Sequence, residues 1–215
     1  MTSLSRSLLG RSLTTVGGLA LALSLTGCLS SEKTEELNLD VHWIEPSPVL
    51  EDQIDDVIRQ LPWSRGFERI EQIRWLASVG EPAYSHLLDL AIDPRDDVSA
   101  AALAALGATL DRRLVDPIKA LEWTPAREAS DLGLERARTL VRLGDWSPIP
   151  TLIDGLGDDR VYTRTLCIEA LFEATRHDLD FDPHAGPEQR LAAQQRWQGW
   201  WATRNGDELL IQGDK

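Results

Sequence analysis

Apolar residues recur along this chain at helical spacing, and the pattern reads as a succession of short amphipathic helices. Leu50, Ile54, Val57, Ile58 and Leu61 mark a first helix that Pro62 ends. Phe67, Ile70, Ile73, Leu76 and Ala77 mark a second, closed near Gly80. Glu81 to Ile92 follows with Leu87, Leu88 and Leu90 inward. Val98 to Leu106 is nearly all small and apolar, as suits a helix packed on both sides. Arg113 to Leu121 carries Pro117 in its first half, and Glu128 to Leu143 turns Leu134, Ala137, Leu140 and Val141 inward. Beyond a Gly144-Asp145 stop, Pro148 opens a helix. A Gly157-Asp158-Asp159 turn leads to the next, which Ile168 and Phe172 make apolar on a second side. Pro187 to Arg204 is the last helix, with Ala193, Trp197, Trp200 and Trp201 on one stripe. The expected fold class is all-α.

One position repeats. Leu76, Leu106, Leu140 and Leu171 stand 30, 34 and 31 residues apart, and the first three open the phrases LASVGE, LGATLD and LVRLGD. Each phrase stops a helix, and the next opens near Pro82, Pro117 or Pro148. Such a hairpin cannot bury its apolar faces alone and is stable when stacked on its neighbours.

From Arg65 to Thr175 the pattern resembles a HEAT-type helical repeat. Tetratricopeptide repeats fit less well, since their Trp and Tyr signature positions are not filled. The HEAT resemblance implies a short right-handed α-solenoid of stacked hairpins, with the tryptophan-rich last helix as its cap. It also implies that Asp158 and Arg164, six apart, pair between neighbouring repeats; Asp93 and Ser99 keep the spacing without the arginine. In that family the second helix of each repeat lines a concave surface. By resemblance, Glu135, Arg138, Arg142, Glu169 and Glu173 form the candidate partner-binding face. Mixed charge there suits a protein partner.

The first 27 residues hold Arg6 and Arg11, no acid, and an apolar core from Val16 to Leu25. That core is about half the roughly 20 residues needed to span a bilayer, so it reads as a signal peptide. Its end, Leu25-Thr26-Gly27-Cys28, resembles the lipobox of bacterial lipoproteins. The resemblance implies cleavage before Cys28 and lipidation of its thiol and new amino group. Leu29 after the cysteine leans towards an outer-membrane anchor facing the periplasm. The expected organisation is a leader over 1–27, a lipidated N-terminus and acidic linker over 28–49, a repeat domain over 50–206 and a tail over 207–215. Within the linker, the run from Leu37 to Ile44 is able to pack on the domain in extended form, anchored by Trp43.

Charge narrows the partners. The chain has 22 Lys+Arg against 35 Asp+Glu, and removing Arg6 and Arg11 with the leader leaves 20 against 35, a net −15. That argues against binding nucleic acid or an anionic lipid surface, since both require clustered positive charge. Two cysteines, Cys28 and Cys167, make no disulfide framework, and Cys167 sits among apolar helix neighbours as a small buried hydrophobe. The sequence has no G-x-S-x-G elbow, no phosphate-cradling glycine loop and no H-E-x-x-H pair, so no catalytic residue or cofactor is assigned.

Ligand-type side chains crowd only between His177 and His184, where Asp178, Asp180 and Asp182 alternate. The calcium-loop template fails at Pro183 and Gln189, and two histidines are too few for zinc. The stretch reads as a solvated connector, and no metal is assigned. The sequence thus predicts a non-enzymatic, lipid-anchored interaction module or scaffold with an unidentified protein partner. A metal-dependent or enzyme-accessory role for the acidic stretch and a small-molecule or chromophore carrier are the alternatives.

Overall fold

The computed structural model describes residues 42–210, with side chains to Arg204. The leader, Cys28 and most of the linker lie outside the described residues, as does the tail beyond Leu210. The described residues form ten α-helices and no strand: α1 Pro48–Gln60, α2 Gly66–Val79, α3 Tyr84–Ala91, α4 Asp96–Ala108, α5 Val115–Lys119, α6 Pro125–Glu128, α7 Asp131–Arg142, α8 Ile149–Gly155, α9 Val161–Thr175 and α10 Pro187–Leu210. The fold is all-α.

Local chemistry sets the boundaries. Ser47 caps α1, its Oγ accepting from the Leu50 amide at 3.4 Å, and Pro48 fits the first turn, where no amide donor is needed. α1 therefore starts inside the stretch expected to be linker. Thr124 caps α6, and Ser130 caps α7 by accepting from the Leu132 amide at 3.2 Å. These two caps divide the single helix expected over Glu128–Leu143. Past α7, Gly144 adopts φ 91°, open to a residue without Cβ, and reverses the chain. α10 runs on to Leu210, past the expected end at Arg204.

The repeated leucine position is inward each time. Leu76, Leu106 and Leu171 are fully buried and Leu140 is nearly so. They belong to α2, α4, α7 and α9, and along this series each helix packs on the next. α4 also packs on α3, which accounts for its small residues: Val98, Ala101, Ala102, Ala105 and Leu106 are all buried. Burying each leucine contributes about 1.5–3 kcal/mol. The approach of α8 to α9 depends on Gly155, where a Cβ would stand 2.5 Å from the Cys167 Sγ.

Two apolar clusters result. One gathers Ile54, Leu76, Leu87, Leu103, Leu106, Leu114 and Ile118; the other gathers Val141, Ile149, Leu152, Ile168, Leu171, Phe181, Ala193 and Trp197. Trp43 joins the first, its ring 4.9 Å from Tyr84 in an edge-on arrangement, with the Arg113 guanidinium 5.4 Å from its centre. Trp43 thus packs on the domain, while the expected run before His42 lies outside the described residues.

Three apolar residues that mark these helices face solvent, among them Phe172, expected to be covered by the last helix. Phe67 is 74% exposed and Ile70 47%. Phe67 stands nine residues, two and a half helical turns, before Leu76, so it points to the opposite side of α2. Phe172 is also 47% exposed, although Ile168 on the same helix is covered.

Candidate functional site

Helices α4, α7 and α9 enclose an open groove of about 370 Å³. Ala100, Leu132, Leu134, Leu166 and Cys167 give it an apolar lining. Asp96, Asp97, Asp131, Glu135, Arg138 and the exposed Tyr162 add polar groups and an aromatic ring. Two residues of the expected partner face, Glu135 and Arg138, therefore lie in this groove. Their side chains pair at 2.5 Å and are mostly buried, at 18% and 15% exposure. The Arg138 Nε is buried with no hydrogen-bond partner. Further along, Arg142 of α7 donates to Glu173 of α9 at 2.9 Å, tying the two helices together. Glu169 is exposed on α9. The five residues occupy α7 and α9 as expected, but four of them satisfy one another instead of standing free.

Most of the groove's acids are held by arginines from adjacent hairpins. Arg69 donates to Asp97 at 3.0 Å and to the Leu61 carbonyl at 3.2 Å. Arg160 donates to both oxygens of Asp131, at 2.6 and 2.5 Å, while also bonding Asp158. Arg127 lies 3.4 Å from Asp96 and donates to the Asp93 carbonyl. Hydrogen bonds from Arg160 hold the Asp131 and Asp158 carboxyls below their ordinary value. At Asp97 burial works against ionisation, but the Arg69 bond and charge outweigh it and the carboxyl again lies low. These acids stay ionised at neutral pH.

The expected Asp158–Arg164 carboxylate pair does not form. Arg164 is 3% exposed and donates to three carbonyls, of Asp158 at 2.7 Å, Asp159 at 2.8 Å and Pro183 at 2.7 Å. The Asp158 carboxylate instead receives Arg160. Position 99 has its own solution: the Ser99 hydroxyl donates to the Ala91 carbonyl. The inter-hairpin contact the resemblance led one to seek at Arg164 is made by Arg69, seven residues before Leu76 just as Arg164 is before Leu171. That arginine was legible from its register. A second missed signal is an Asp-x-Arg phrase at 93–95, 111–113 and 158–160, in which the aspartate accepts from the arginine's own amide and side chain. Arg113 then reaches back to Glu81 at 2.9 Å, as Arg160 reaches Asp131.

Between His177 and His184 the carboxylates serve the backbone. Asp178 accepts from the Asp180 amide at 3.1 Å and Asp182 from the His184 amide at 2.8 Å. Phe181 between them is buried, and Leu179 and Asp180 take positive φ. Among the described residues no three His, Cys, Asp or Glu side chains gather as a metal ion would require. Cys167 is fully buried, and desolvation pushes its thiol up to about 12, so at neutral pH it is not a thiolate nucleophile. No described helix is long and apolar enough to cross a membrane.

Comparison with protein-family models, curated proteins and solved structures finds no match to this chain.

Proposed function

We propose that this chain is a lipid-anchored envelope protein whose helical domain acts as a non-enzymatic protein-interaction module. The domain is a short right-handed α-solenoid of HEAT-like hairpins, closed by the tryptophan-rich α10, and Cys28 carries the acyl chains. The observation that carries this reading is the packing of α2, α4, α7 and α9 in sequence order through one repeated, buried leucine position. The arginines that cross between hairpins support it, as does Trp197, fully buried beside Ile168 and Leu171 in one cluster. Stacked hairpins present extended surfaces. The groove between α4, α7 and α9 is where a partner's side chain enters, flanked by Glu135, Arg138, Arg142, Glu169 and Glu173.

Two measurements test the reading. The full chain made in a lipidating host partitions into the detergent phase of Triton X-114, and Cys28→Ser moves it to the aqueous phase; an aqueous wild type removes the anchor. Crosslinking in intact cells followed by purification captures a partner that Arg142→Glu with Glu169→Lys loses while the melting temperature stays within a few degrees. A folded double variant that keeps every partner removes the face. The groove's volume and apolar lining also favour a second reading, a small-molecule carrier. A ligand that co-purifies and is lost on Leu166→Trp would support that reading.

A further inference from the structure

Four arginines among the described residues lie over tryptophan rings, and three of them are held by other bonds as well. Arg113, over Trp43, donates to Asp111 and Glu81. Arg127, over Trp123, donates to the Asp93 carbonyl, and Arg136, over the same ring, to the Ile118 and Lys119 carbonyls. Arg204 is different. Its guanidinium carbon lies 4.4 Å from the centre of the Trp146 ring and 5.8 Å from that of Trp200. It makes no hydrogen bond or ion pair with any described residue, so there the two rings alone hold it. Arg204 is exposed, and both tryptophans are half-buried against the second apolar cluster. Trp146 belongs to the loop between α7 and α8 and Trp200 to α10, so tertiary approach brings the two rings to one cation.

We propose that Trp146 and Trp200 bind an arginine side chain of a basic protein partner, and that Arg204 is the chain's own occupant, displaced when the partner arrives. The inference rests on the reading of the domain as an interaction module and adds the chemistry of its partner. The class of ligand follows from the occupant. Aromatic faces attract a cation within about 6 Å of the ring centre through the ring quadrupole. A guanidinium suits them better than an ammonium, being planar and more weakly hydrated. Exchange is cheap, because a partner's guanidinium restores the two contacts that Arg204 gives up.

The surroundings favour positive charge. Trp200 also meets His177 edge-on at 5.8 Å, and His177 opens the acidic run of Asp178, Asp180 and Asp182. Asp178 and Asp182 accept from backbone amides, and no lysine or arginine pairs with the three carboxylates among the described residues. Arg196 reaches the run through the Leu179 and Asp180 carbonyls. The whole chain, at net −13, draws a basic partner towards it. Neither tryptophan nor Arg204 lines the groove between α4, α7 and α9, so this is a second site, and its failure leaves the groove standing.

The probe is the peptide acetyl-Gly-Arg-Gly-amide, with its lysine and citrulline counterparts. Each is titrated into the full chain in non-ionic detergent while the indole N–H resonances are followed by NMR. Citrulline keeps the shape of arginine and removes its charge. The arginine peptide should shift the Trp146 and Trp200 resonances, and Arg204→Ala, which vacates the rings, should bind it roughly fivefold tighter. The lysine peptide should bind more weakly and the citrulline peptide not at all. Trp146→Leu, with its melting temperature retained, should lose the shift at Trp200; should that variant unfold, wild type against Arg204→Ala still decides. Silent indoles in Arg204→Ala, equal affinity with and without Arg204, or a citrulline peptide that binds as well as arginine overturns the inference. Choline that binds more tightly than the arginine peptide gives the rings to a quaternary ammonium group and overturns it too.

Discussion

Helices α2 and α9 carry the same repeated leucine, buried in both, yet the rest of each helix meets a different fate. On α9, Ile168 is covered within a cluster that also holds Phe181, Ala193 and Trp197, all supplied by the chain that follows. On α2, Phe67 is 74% exposed and Ile70 47%, the latter no more than Phe172 of α9, so Phe67 marks the difference between the two helices. Apolar surplus on a helix is therefore not a sufficient sign of burial. It becomes core where later chain returns to cover it and remains surface where none does. The covered side contributes stability; the bare side leaves apolar surface in water.

The largest effect should come from uncovering α9. Deleting residues 181–215 removes Phe181 and Trp197 together and should produce a fragment that aggregates or melts early. Trp197→Ala alone, at a fully buried site, should cost about 3–5 kcal/mol by urea titration. A fragment that melts as cooperatively as the full domain would erase the distinction between the two helices.

Next comes Arg164, which holds the turn before α9 to the Pro183 carbonyl ahead of α10. Arg164→Met leaves those buried carbonyls without a donor and should cost about 3 kcal/mol. A loss below about 1 kcal/mol would mean that water replaces the guanidinium.

A smaller, pH-dependent effect belongs to Arg160. It holds Asp131 and Asp158 below the ordinary aspartate value of 3.8. A depressed carboxyl contributes stability above its ordinary value, and that contribution is lost as pH falls through the lowered one. Melting temperature should thus fall below about pH 4, and Arg160→Gln should flatten that acid limb by lowering stability at pH 7 while leaving it little changed at the acid end. An acid limb identical in the variant would assign the loss to other carboxylates. The smallest effect is expected on the bare side of α2, where Phe67→Ser should shift stability by no more than about 0.5 kcal/mol.

Much of the fold was legible because helix stops and apolar spacing are local signals. The helices around Leu76, Leu106 and Leu171 fell where the pattern put them. The break between α6 and α7 was written in the sequence as Ser130, a cap in the middle of an otherwise periodic run. The exposure of Phe67 was also legible, had its phase been measured against Leu76 instead of its hydrophobicity alone. What the sequence did not disclose is how Arg142 and Arg164 are satisfied. Periodicity placed Arg142 on a helix face, but whether a neighbour's carboxylate meets it, as Glu173 of α9 does, depends on tertiary approach. The three carbonyls around Arg164 come from two separate loops, a convergence that spacing along one helix does not encode.

The central claim is that one side of this helix series is closed by its own chain and the other is left open. Native-state hydrogen exchange on the full chain without membranes tests it most directly. Amides of α9 should exchange only through global unfolding, while those of α2 should exchange through a lower-energy opening, at least tenfold faster. Equal or greater protection in α2 would contradict the account.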